Sequence, residues 1–121
     1  KKNKGVISLC HMSAPEAKLS YEIEIKNRSK NKQLYQLFLN WALSANADGI
    51  IVGATYPKII SYCKKSVRGK LALFSPGVGT QGGSPSKAKK LGSDYLIVGR
   101  TILNSKNPLQ TTKDLVSDSL I

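Results

Sequence analysis

The sequence predicts an α/β fold with a parallel sheet, and three observations carry that prediction. Four short apolar runs rich in β-branched residues recur at 6–12, 49–54, 71–74 and 95–98 of the 121 residues. They are nearly continuous in hydrophobicity rather than alternating, the pattern of strands buried on both faces. Segments with helical spacing separate them, giving the order βαβαβαβα, which favours parallel strands joined by right-handed crossovers.

The first strand follows a basic start, Lys1-Lys2-Asn3-Lys4, and runs into Ser13 and Pro15. Its apolar stretch of about seven residues, interrupted by Ser8, is too short and polar for a secretory signal, so a cytoplasmic address is expected. Met12 is the only methionine, and the missing initiator reads as a processed, truncated or partly recorded protein. Residues 13–32 are the irregular part. Pro15, the alternating Tyr21-Glu22-Ile23-Glu24-Ile25 and the polar run 26–32 predict a long loop with a short helix or an extended piece.

Leu34, Leu37, Phe38, Trp41 and Ala45 then mark the apolar face of a first long helix. After the strand at 49–54, Pro57 opens a second helix, with Ile59, Ile60, Tyr62 and Cys63 at its start. A weaker helix follows at 85–91. Pro108 opens the last one, anchored by Leu109, Leu115, Val116 and Leu120. No internal repeat or low-complexity tract divides the chain, so residues 1–121 are read as a single segment.

An apolar fraction of 40% is ordinary for a globular domain. No run approaches the roughly 20 residues of a membrane-spanning helix, so no membrane partner is expected. Lysine and arginine total 19 against 7 acids, a net charge of +12, which points to nucleic acid or to anionic ligands. The basic residues are scattered, as Lys26-Asn27-Arg28, Lys64-Lys65, Lys87 and Lys89-Lys90, without interleaved aromatics to stack on bases. Anionic ligands are therefore preferred over nucleic acid, with a solvated helix surface as the plain alternative. Cys10 and Cys63 are far apart and His11 is the only histidine, so neither a zinc site nor a disulfide framework is encoded. Both cysteines read as buried small hydrophobes, a reactive thiol being the other reading.

The informative segment is Ser75-Pro76-Gly77-Val78-Gly79-Thr80-Gln81-Gly82-Gly83, where a strand empties into a loop with four glycines in seven positions. Without Cβ atoms, backbone amides can approach an anion closely and adopt positive φ. About 20 residues on, one β-loop-α-β unit later, the next strand ends in Gly99-Arg100, and the planar guanidinium can grip a phosphate with two parallel bonds. Consecutive strand exits of this kind form the phosphate site after the seventh and eighth strands of (β/α)8 barrels. Gly77-x-Gly79-x-x-Gly82 matches a dinucleotide fingerprint as a string, but it follows Ser-Pro and lacks the βαβ successor with its ribose-binding acid.

At these residues the chain resembles orotidine 5′-phosphate decarboxylases. The resemblance rests on the segment from Ser75 to Gly83 and on Ile97-Val98-Gly99-Arg100-Thr101-Ile102. Met12-Ser13-Ala14-Pro15, the run from Asp48-Gly49 to Ala54-Thr55 and Asn107-Pro108 add to it, so that it covers essentially the whole chain. The related sugar-phosphate decarboxylases share the Gly-Arg end but not the Pro-Gly-Val-Gly-x-Gln loop.

The resemblance implies the C-terminal half, (β/α)4, of a TIM (β/α)8 barrel, with phosphate-binding loops at 75–84 and 98–102. It implies that Gln81 and Arg100, with the backbone amides around Gly79, Gly99 and Arg100, hold the 5′-phosphate of orotidine or uridine 5′-monophosphate. Thr80, Gly82 and Gly83 complete the loop. Ser13 would hydrogen-bond the pyrimidine, unless it merely caps a helix, and Pro76 and its neighbours would wall the base, with Gly77 and Val78 also counted as substrate-binding. The implied reaction uses no metal and no cofactor: carbon dioxide leaves, and a lysine protonates the carbanion at C6.

The family's catalytic carboxylates and lysines come from an Asp-x-Lys-x-x-Asp motif plus an earlier Asp and Lys, none of which is found in these residues. Lys18 is unaccompanied by the necessary carboxylates, and Asp114 and Asp118 read as surface or helix-end positions of the last helix. No catalytic residue is assigned, and the segment by itself is expected to be inactive. Four β/α units leave two sheet edges and an unfilled interior. The expected partner is therefore an N-terminal half or a second copy, making a homo-oligomer. A non-catalytic nucleotide- or phosphate-binding half-barrel is the alternative function.

Overall fold

The computed structural model describes residues 4–26 and 31–120. Lys1, Lys2 and Asn3 of the basic start, and Asn27, Arg28, Ser29 and Lys30 of the polar run, lie outside the described residues. In chain order the elements are β1 (Ile7–His11), α1 (Ala17–Tyr21), β2 (Glu24–Ile25), β3 (Lys32–Gln33), α2 (Leu34–Ser44) and β4 (Gly49–Val52). Then come α3 (Pro57–Val67), β5 (Ala72–Pro76), α4 (Pro85–Lys90), β6 (Tyr95–Ile97), α5 (Arg100–Leu103) and α6 (Pro108–Ser119).

Strands β1, β4, β5 and β6 form one parallel sheet in that order. Its register aligns Ser8, Ile50 and Leu73 across three strands, and Ile51, Phe74 and Tyr95 one residue further on. The irregular segment, where a short helix or an extended piece was expected, contains one of each: the short helix α1 and an antiparallel ladder of β2 with β3.

Helix starts follow local chemistry. Gln33 and Gln36 form a reciprocal capping box at α2, and Pro57 fills the first turn of α3. Ser84 Oγ accepts from the Lys87 amide at α4, and Asn107 Oδ1 accepts from the Gln110 amide at α6. Two helix faces differ from the expectation. On α2 the buried residues are Tyr35, Leu39 and Ala42, while Trp41 and Ala45 are exposed. Apolar residues surround this helix on most sides, so spacing alone could not select its inward face. On α6 only Leu115 of the four expected anchors packs against the core, whereas Leu109, Val116 and Leu120 are exposed.

The core lies between the helices and one face of the sheet, where Cys10, Leu39, Ile50, Val52, Ile60, Cys63, Val67 and Leu73 are fully buried. Burial pushes both thiols up to about 12, as befits cysteines that act as small hydrophobes. Burial on both sheet faces was expected and is found on one. Among the described residues, Ile7, Leu9, Tyr95 and Ile97 on the other face are each more than two-fifths exposed. The chain is thus an α/β half-barrel, four parallel strands each leading to a helical segment, with β1 and β6 at its edges. None of its described helices is long and apolar enough to cross a membrane.

Candidate functional site

Because the four strands are parallel, their carboxyl ends open on one rim. Ser13 lies just past β1, Thr55 past β4, Gln81 in the loop after β5, and Arg100 past β6. Ser13 Oγ donates to Gln81 Oε1 at 2.8 Å, tying the first of these exits to the third. That bond occupies the carbonyl end of the Gln81 amide and leaves its NH2 end as a donor.

Glycines permit this convergence where side chains would collide. A Cβ on Gly77, whose φ is +92°, would stand 2.5 Å from Ser13 Cβ, and one on Gly53 would stand 2.5 Å from Ser13 Cα. The loop after β5 also bonds to itself. The amide of Gly83 donates to Gly77 O, that of Gly79 to Gly83 O and that of Gly82 to Gly79 O, while the Val78 side chain is buried beneath. The Gly79 amide, expected to face a phosphate, therefore has a carbonyl partner within the loop.

Thr101 clasps the loops after β5 and β6 together. Its Oγ1 accepts from the Thr80 amide at 3.0 Å, donates to Val78 O at 3.1 Å and lies 2.9 Å from Thr80 Oγ1. A Cβ on Gly79 (φ +76°) would run into this same hydroxyl. Arg100, expected in a loop over 98–102, opens α5 instead, because the amides of Ile102 and Leu103 turn back to Gly99 O.

Thr80, Gln81, Gly99 and Arg100 line a single cleft of about 50 Å³, with Gly77 and Thr101 in its wall. Gln81 also lines a second cleft of about 260 Å³ with Ser13, Pro15, Lys18, Thr55 and Tyr56. The two loops named from sequence thus meet, and Gln81 forms a wall common to a small, donor-rich cleft and a larger one beside Ser13. Pro76 closes the end of β5, its carbonyl accepting from the Ala54 amide at 2.7 Å.

The residues that hold the Ser13 segment escaped sequence reasoning. Thr55 Oγ1 donates to Ser13 O at 2.9 Å and Tyr56 OH to Ala14 O at 2.8 Å. Thr55 and Thr101 each stand in a quoted motif and could have been singled out there; Tyr56 carries no such signal. Asp114 and Asp118 are exposed on α6, where Asp114 accepts from Gln110 Nε2. Among the described residues no group of three or more His, Cys, Asp or Glu is placed to hold a metal ion.

Comparison with known proteins gives a consistent result. A model of the Orotidine 5′-phosphate decarboxylase / HUMPS family matches residues 1–115. The chain is 32% identical over 113 residues to the orotidine 5′-phosphate decarboxylase of Pyrococcus furiosus, covering 93% of this chain and 49% of that protein. To the enzyme of the same name from Sulfurisphaera tokodaii it is 35% identical over 94 residues, 78% of this chain and 44% of that one. The crystal structure of orotidine 5′-phosphate decarboxylase from Pyrococcus horikoshii OT3 superposes with a TM-score of 0.77 at 28% identity, covering 99% of this chain and 53% of that one. The Methanocaldococcus jannaschii orotidine 5′-monophosphate decarboxylase, complexed with inhibitor BMP, does so with a TM-score of 0.78 at 28% identity, covering 94% and 49%. The chain spans about half the length of these relatives.

Proposed function

The chain belongs to the orotidine 5′-phosphate decarboxylase / HUMPS family, and from that premise we propose that it is the phosphate- and base-holding part of an orotidine 5′-phosphate decarboxylase. The protein it serves converts orotidine 5′-monophosphate to uridine 5′-monophosphate and carbon dioxide. The observation that carries this reading is the meeting of Gln81 and Arg100 on one cleft, with Gln81 bonded to Ser13 at the mouth of the next.

In this reading the phosphate occupies the small cleft, held by the Arg100 guanidinium and the Gln81 NH2, with donors from the turn at Gly99. The ribose and pyrimidine extend past Gln81 into the larger cleft beside Ser13. Loss of carbon dioxide leaves an electron pair at C6, and a lysine outside the matched motifs returns a proton there. Binding energy from a phosphate remote from C6 is useful because it orients the ring and excludes unproductive poses, which lowers the barrier rather than only tightening the ground state.

A second reading, a nucleotide- or phosphate-binding half-barrel without catalysis, makes the same use of the two clefts. Carbon dioxide release from orotidine 5′-monophosphate by the intact protein separates the two. Titration calorimetry tests what they share. Uridine 5′-monophosphate should bind at least about tenfold more tightly than uridine, and Arg100→Ala should remove most of that difference, since a charge-assisted bond contributes about 1.5–3 kcal/mol. Equal affinity for nucleotide and nucleoside would sink the phosphate site.

A further inference from the structure

We infer that His11 is a positioning residue for the base side of this site, an imidazolium locked between the Met12 carbonyl and the Glu22 carboxylate. The inference builds on the proposed nucleotide site, because its consequence is the placement of Ser13.

His11 ends β1 and its side chain is wholly buried. Nδ1 lies 2.8 Å from Met12 O. A carbonyl only accepts, so Nδ1 carries a hydrogen. Nε2 lies 3.3 Å from Glu22 Oε1, and among the described residues neither atom has any other hydrogen-bonding partner. With Nδ1 already protonated, a neutral ring would turn a bare lone pair toward a carboxylate oxygen, two buried acceptors with nothing between them. One further proton removes that conflict, and on Nε2 it makes a charge-balanced pair.

The surroundings favour the cation on the ring. Tyr21, Tyr35 and Tyr56 lie around it, with centroids 5.3, 6.0 and 4.3 Å away, so the ring is packed among aromatics that bring no positive charge against it. Burial raises the hydroxyls of Tyr35 and Tyr56 above their ordinary value, so at neutral pH neither supplies an anion. The adjacent Cys10 thiol and the Cys63 thiol are likewise pushed up, to about 12, and stay neutral. Glu22 is the countercharge, with Lys18 and Lys58 beside it along a shared cleft.

The mechanical consequence follows from chain order. Met12 and Glu22 bracket the stretch that holds Ser13, Pro15, Lys18 and all of α1. By engaging both ends of it, the imidazole fixes the stretch to the rim and sets where Ser13 Oγ meets Gln81. The small cleft lies on the other side of Gln81, and its remaining donors, at Gly99 and Arg100, stand outside the locked stretch, so a phosphate there loses far less than the base side does.

The test combines ring nitrogen NMR with two titrations on the intact protein. At pH 7 both His11 nitrogens should resonate in the protonated range; an unprotonated Nε2 overturns the inference. Glu22→Leu should weaken uridine 5′-monophosphate about tenfold while inorganic phosphate binds within about twofold of the parent, a split that general unfolding would not produce. Equal losses for both ligands, or no loss for either, count against the positioning role. Glu22→Gln should restore nucleotide affinity with a neutral ring, because its amide can donate to a bare Nε2, and failure of that rescue also counts against it. Should the parent protein fail to distinguish uridine 5′-monophosphate from uridine, the functional reading falls, while the ring measurement still decides the proton.

Discussion

At the scale of single residues, the site depends on hydroxyl groups that join segments remote in sequence. Thr101 Oγ1 serves the Thr80 amide and Val78 O together, and it is the direct side-chain tie between the two loops that line the small cleft. Thr101→Val keeps the volume and removes both bonds. It should lower stability by about 1 kcal/mol, since the part-buried Val78 carbonyl loses its donor while the exposed Thr80 amide can turn to water, and it should weaken uridine 5′-monophosphate more than uridine. Urea denaturation and calorimetry measure the two effects, and an unchanged midpoint would show the clasp to be dispensable. Ser13, Gln81 and Arg100 could be named from sequence because each stands in a dense motif beside a strand end. Thr101 and Thr55 could not be assigned their roles, since a hydroxyl acquires a partner 21 or 42 residues away only when the strands are in register.

At the scale of elements, the opposite end of the sheet is fastened by one aspartate. Asp94 Oδ1 accepts from Lys64 Nζ at 2.7 Å, Oδ2 accepts from the Leu73 amide at 2.8 Å, and Lys89 Nζ reaches Asp94 O. The start of β6 is thereby joined to α3, β5 and α4. Burial by itself would raise this carboxyl; the Lys64 hydrogen bond, the Leu73 amide and the charges of Lys64 and Lys89 outweigh it and hold the group below its ordinary value. A carboxyl lowered by folding contributes stability above its unfolded pKa of about 4, and the contribution fades as the pH falls through the folded value. Asp94→Asn should therefore lower the urea midpoint at pH 6 and make it less dependent on acidification below pH 4. Parallel curves for parent and variant would refute the assignment. The side chains are about a third exposed, so solvent screens the ion pair and the amide bond carries much of the effect. Elements of this kind were legible where proline and capping residues mark their starts; the inward faces of α2 and α6 were not, because both helices carry apolar residues on more than one side.

At the scale of the whole molecule, the controlling fact is a sheet covered on one face. Ile7, Leu9, Tyr95 and Ile97 are each at least 42% exposed, and Phe74 stacks on Tyr95 at 4.8 Å across the same surface. An apolar face bordered by two unpaired edges attracts further strands. The 121-residue segment expressed alone should self-associate in sedimentation velocity, and the pair Tyr95→Lys with Ile97→Lys should return it to a monomer. A parent segment that sediments as a monomer without binding an apolar dye would remove the need for a covering partner. The continuous hydrophobicity of the strands had signalled two covered faces; within these residues there are helices for only one.

The sequence by itself determined the α/β class, the order of strands and the two loops that make the candidate phosphate cleft. Each is written locally, in runs of apolar residues, in glycines and prolines at turns, and in an arginine immediately after a strand. The tertiary structure alone decided which helix faces turn inward, that Thr101 clasps the two loops and that His11 is sealed against Glu22. Those outcomes depend on distances between segments far apart in the chain, and strand register and packing set such distances.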